Sequence, residues 1–141
     1  MTDTRIFTLD EAERTLPLLR RILADLKREY EIWREALAQY EVLTGGTRAD
    51  AGESMSLIAA RLAVSDSAGR IEGFLNEIAA IGCLFKGFEE GLVDFYALRD
   101  DRLVLLCWKY DEDHITHWHD VDAGFPGRQP IAASDFSAVI P

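Results

Sequence analysis

At 141 residues, with 48% hydrophobic and 28% charged positions, the chain has the size and composition of one globular domain, 1–141, whose core needs no disulfide or structural metal. Fifteen Lys and Arg against 25 Asp and Glu leave a formal charge of −10, which repels phosphate backbones and argues against nucleic acid as a partner. The opening MTDTRIFTLDEAER lacks a basic segment followed by an apolar one, and no apolar run reaches the ~18 residues of a membrane span, so the expectation is a cytoplasmic protein without membrane contact.

The first predicted element opens at Thr8 with Glu11 three residues on, a capping box that satisfies early helical N–H groups. Apolar residues then recur at Leu9, Ala12, Leu16, Leu19, Leu23, Leu26, Tyr30, Trp33, Leu37 and Tyr40, alternately three and four apart, which makes a heptad seam of the coiled-coil kind. Pro17 falls inside this pattern and predicts a kink rather than a stop. The glycine-rich stretch from Thr44 to Gly52 predicts a connector, with the loop over 44–53. A second seam follows at Leu57, Ala60, Val64, Ser67, Ile71, Phe74, Ile78, Ile81 and Phe85. The two seams predict an antiparallel helical hairpin over 8–85. Its base is expected where Leu16, Leu18, Leu19, Ile22 and Leu23 face Phe74, Leu75, Ile78, Ile81, Leu84 and Phe85. Farther out, Tyr30, Trp33 and Tyr40 remain on a narrowing apolar stripe, and a patch of that kind predicts a homodimer whose paired hairpins form a four-helix bundle.

After Gly82 and Gly87 the period changes, and Leu92–Leu98 and Leu103–Trp108 are short apolar runs of strand formers around the polar turn Arg99–Arg102. They predict a β-hairpin, extended to a three-stranded meander if Ile115–His119 joins, with an irregular C-terminal tail in the region 91–141. The fold class is therefore mainly α with a small antiparallel β unit, α+β.

The chemistry-bearing residues gather late in the chain. Trp108–Pro130 holds all three histidines, two of the three tryptophans, five acidic residues between Asp111 and Asp122, and a Gly/Pro loop around Arg128. Asp94, flanked by Val93 and Phe95, needs an edge position, a cationic partner or a metal, and Arg128 is the simplest partner. His117 and His119, two apart in a strand, share one face about 6.5–7 Å apart at their Cα atoms. With Asp94, Glu89 or Glu90 as a third donor they could chelate a divalent metal. Cys83 and Cys107 have no zinc or redox spacing and read as buried, inert thiols. No Walker loop, GxGxxG, GxSxG or HExxH is present.

Taken together, Phe7–Ala12, Leu16–Leu19, Gly82, Lys86, Gly91–Phe95, Leu106–Trp108, Trp118–His119, Gly124–Phe125, Gly127–Arg128 and Pro130 resemble domain-of-unknown-function family 2203, small prokaryotic proteins with helices followed by a compact C-terminal region. The resemblance spans nearly the whole chain and implies no activity. It implies that Asp94, Trp118, His119 and Arg128 belong to the shared pattern, whereas His117 does not, and Tyr96 stands where proline is expected. This favours His119 acting with Asp94, Glu90 and Arg128 over a His117–His119 chelate. Two function classes follow: a dimeric binding or assembly module with a polar C-terminal cluster, or a metal- or anion-dependent enzyme or metal-binding protein with its site at His119, Asp94 and Arg128.

Overall fold

The computed structural model describes residues 5–45, 54–132 and 136. Helix α1 (Leu9–Gly45) and helix α2 (Met55–Ile81) form the predicted hairpin, and strands β1 (Leu84–Gly87), β2 (Leu92–Arg99), β3 (Arg102–Lys109), β4 (His117–Asp120) and β5 (Gln129–Pro130) form one antiparallel sheet in sequence order. No described helix is long and apolar enough to cross a membrane.

The helix boundaries follow local chemistry. Thr8 N–H donates to Glu11 Oε1 at 2.8 Å while Glu11 N–H donates to Thr8 Oγ1 at 3.0 Å, the reciprocal capping box. α1 runs unbroken through Pro17. Ser54 caps α2, accepting from Leu57 N–H. α2 ends earlier than the periodicity predicts, because Gly82 adopts φ 103°, a left-handed cap whose N–H donates to Ala79 O. A Cβ at Gly82 would lie 2.9 Å from Arg5 Cβ, so the turn also requires glycine for space. Leu84 and Phe85 therefore open β1 instead of closing the helix. Of the expected 44–53 loop, Thr44 and Gly45 finish α1, and residues 46–53 lie outside the described set.

The sheet has five strands where two or three were expected, since β1 and β5 add short edges to the meander. At the β2–β3 turn Arg99 pairs with Arg102, leaving a two-residue loop of Asp100 and Asp101 at φ 52° and 63°. Positive φ at both positions is the signature of the type I′ turn, whose twist matches that of the strands. Ahead of α1, Phe7 N–H donates to Tyr96 O at 2.7 Å, so the N-terminal segment lies along β2 beyond the reach of β1.

Alternation along the strands separates two faces. Val93, Phe95, Ala97, Val104, Leu106, Trp108 and Trp118 are buried in one core with Leu16, Leu19, Leu23, Leu26 and Ile78 of the helices. Phe7 meets Phe95 edge to face at 5.1 Å within it. Leu18, expected at this base, is exposed. Arg20 tethers α1 to the β3–β4 connection through Glu112 O at 3.3 Å, and Lys27 tethers it to the β1–β2 turn through Glu89 O at 3.1 Å.

Beyond the sheet the hairpin depends on its own contacts. Glu29 is buried between the helices, accepting from Ser67 Oγ at 2.6 Å and Arg70 Nε at 2.9 Å. Nothing in α1 after Glu29 is buried. Tyr30 nevertheless finds intrachain partners, stacking on Phe88 of the β1–β2 turn at 4.5 Å and on Trp33 at 6.0 Å.

Candidate functional site

The sheet face turned away from the helices carries the chemistry. β2 and β3 pair Asp94 directly with Cys107, and β3 and β4 pair Leu105 with His119, so His119 stands diagonal to Cys107 on the same face. Asp94, Cys107 and His119 are all buried, at 4%, 1% and 2% exposure, on the face opposite the core shared with α1 and α2. Their cover includes the segment after β4, where Val121, Gly124 and Phe125 border a cavity of about 220 Å³ that all three residues also line. Gly124 holds φ 70° and ψ −175°, a conformation essentially reserved for glycine.

One ligand atom from each of the three residues lies within 4.8 Å of the other two. His119 Nδ1 is 2.8 Å from Asp120 O, and because a carbonyl only accepts, Nδ1 carries the proton. Its Nε2 then faces Asp94 Oδ2 at 3.2 Å. With Nδ1 committed, that contact requires one further proton, held on either the imidazole or the carboxyl. Burial pushes the Asp94 carboxyl above its usual range, partly offset by His119 and Lys86. Burial, followed by the charge of Asp94, pushes the Cys107 thiol up to about 12. Burial thus opposes negative charge on Asp94 and Cys107 alike. Such a cluster is costly to ionise alone and well matched to a cation.

The remaining expected residues fall elsewhere. Arg128 does not reach Asp94: its Nη2 donates to Glu112 Oε1 and Oε2 at 3.0 and 3.1 Å and to Cys107 O at 3.3 Å. Glu112, fixed in the β3–β4 connection by Lys109 N–H at 2.9 Å, meets the guanidinium first. Trp118 points to the opposite, helix-facing core, with the Arg99 guanidinium 4.5 Å from its ring centroid. His117 shares a face with His119, but its Nδ1 pairs with Thr116 Oγ1 at 2.9 Å and it is not in the ligand group. Glu89 and Glu90 are exposed in the β1–β2 turn. His114 is exposed, with Nδ1 3.3 Å from Glu13 Oε2.

Cys107 is the member that sequence reasoning missed, having been set aside as an inert thiol. Its signal was the turn: counting five residues back from Arg99 gives Asp94 and five on from Arg102 gives Cys107, so a two-residue turn makes them cross-strand neighbours.

Neither a curated protein nor a solved structure matches the chain. One family model does, described as an uncharacterized conserved protein (DUF2203), over residues 5–131. With nearly its whole length matched, the chain belongs to the DUF2203 family.

Proposed function

We propose that this protein binds one divalent transition metal, zinc by its donor set, through Asp94 Oδ, Cys107 Sγ and His119 Nε2, and leaves a coordination position open to the cavity. The observation that carries this reading is the approach of three chemically different ligand atoms to within 4.8 Å in a buried place. Zinc bonds of about 2.0–2.3 Å at tetrahedral angles separate ligand atoms by roughly 3.3–3.6 Å. The 3.2 Å between His119 Nε2 and Asp94 Oδ2 is already near that spacing. A sulfur and an imidazole in the set favour zinc over magnesium or calcium.

The surroundings support the same reading. Nδ1–H of His119 on a backbone carbonyl is the outer contact that fixes a ligating histidine with Nε2 free for the ion. A dication also reverses the local cost of charge, converting the thiol to a thiolate and the carboxyl to a carboxylate. Held by these three residues with one position open, such an ion would supply Lewis-acid chemistry there.

Elemental analysis after zinc loading and exhaustive dialysis tests the proposal. One zinc per chain is expected, lost in Cys107→Ala and His119→Ala and kept in His117→Ala and Glu90→Ala. Retention in the first two variants, or none in the parent, refutes it.

A second reading concerns the arm. Ile32, Val42 and Leu62 are 43%, 71% and 52% exposed on the helical hairpin. Association of two copies through paired arms would cover such positions in a four-helix bundle. Light scattering coupled to size exclusion should then give twice the chain mass; a monomer at tens of micromolar refutes it.

A further inference from the structure

The cavity beside the three ligand atoms has a chemical bias of its own. Besides those ligands, its one charged wall residue is Lys86, and Leu92, Leu105, Val121 and Phe125 supply an apolar lining. Lys86 sits at a β-bulge: Phe85 pairs with Val93 and Gly87 with Leu92, which leaves Lys86 without a partner in the ladder. Bulges re-aim side chains and gather next to sites. Among the described residues no hydrogen bond or ion pair engages the Lys86 ammonium, yet Asp94 senses its charge. Arg70, Arg102 and Arg128, by contrast, are committed to Glu29, Asp120 and Glu112.

Charge decides what such a cavity holds. A zinc dication with one thiolate, one carboxylate and a neutral imidazole is electrically neutral, so Lys86 leaves the cavity with one positive charge. We infer that the site takes a small monocarboxylate with a short apolar body. One carboxylate oxygen would occupy the open position of the ion and the other would accept from Lys86 Nζ, while the body would lie against Leu92, Leu105, Val121 and Phe125. A cavity of about 220 Å³ equals roughly seven waters at about 30 Å³ each. Isovalerate is about the size that such a volume accommodates.

The inference rests on the metal reading, and its test keeps the two apart. The protein is loaded with Co2+, whose visible absorption reports its coordination, and titrated with isovalerate or with its neutral isostere isovaleramide. Isovalerate should change the spectrum saturably and bind about tenfold or more tighter than the amide, as loss of a charge-assisted contact implies. Lys86→Met should weaken isovalerate by a similar factor with cobalt uptake still one per chain, and Lys86→Arg should recover part of the affinity. A cobalt spectrum indifferent to isovalerate, an amide that binds equally well, or a Lys86→Met protein of unchanged affinity overturns the carboxylate inference alone. Failure of the parent protein to take up cobalt overturns the metal reading, and this inference with it.

Discussion

The two faces of the sheet are built from alternate residues of the same strands and solve opposite problems. Toward the helices, Val93, Phe95, Val104, Leu106 and Trp108 are apolar and covered by side chains of α1 and α2. Toward the cavity, Asp94, Cys107 and His119 are buried just as deeply, yet carry an acid, a thiol and an imidazole beneath a short segment with a strained glycine. The first face gains stability from burial, whereas the second accepts the cost of buried polar groups. The proposed metal would offset that cost.

The contrast predicts separable effects. The largest belongs to the helix-facing side: Phe95→Ala should cost about 3–5 kcal/mol in urea unfolding of the metal-free protein, while zinc per folded molecule stays at one. Loss of zinc in proportion to loss of stability would show that the faces are not independent.

A smaller effect is expected on the cavity side. Gly124→Ala forces a side chain into a region of backbone space reserved for glycine and should cost about 1–3 kcal/mol, measured as a lower denaturant midpoint at unchanged slope. An unchanged midpoint would mean that this segment tolerates rearrangement and does not hold a fixed roof.

The smallest concerns a second buried acid. Asp94 is pushed upward by burial, but Glu29 is held below the usual carboxylate range by hydrogen bonds from Arg70 and then Ser67. A lowered folded-state value means that the Glu29 contribution is fully present above the unfolded value of about 4.3 and is lost as pH falls through the folded one. Glu29→Gln should thus cost about 1 kcal/mol at pH 7, discounted for the half-exposed Arg70, with the two proteins converging in stability at low pH. A gap that persists in acid would contradict the assignment. The comparison separates a buried acid held by cations and hydroxyls of the helices from one paired with a histidine in the sheet.

Much of the fold was legible in the residues. The heptad seams, the Thr8–Glu11 box and the change of period after Gly87 gave the helical hairpin and the β unit. The end of α2 was not legible, because Leu84 and Phe85 continue the apolar rhythm and only the left-handed turn at Gly82 breaks it. The candidate site was half legible. Asp94 and His119 stood out as polar residues in strands, but Leu103–Trp108 is apolar at nearly every position, so alternation could not say which face Cys107 takes. By charge, by the fit of a guanidinium to a carboxylate and by a loop able to fold back over the sheet, Asp94 was matched to Arg128. The path of the β3–β4 connection, which brings Glu112 to it, is a tertiary property that residue type does not encode locally.

The central claim is that Asp94, Cys107 and His119 hold a metal between them. X-ray absorption at the zinc edge of the loaded protein tests it most directly. One sulfur at about 2.3 Å with nitrogen or oxygen ligands at about 2.0–2.1 Å is predicted, with the sulfur shell lost in Cys107→Ser. A shell of nitrogen and oxygen alone in the parent protein would contradict the claim.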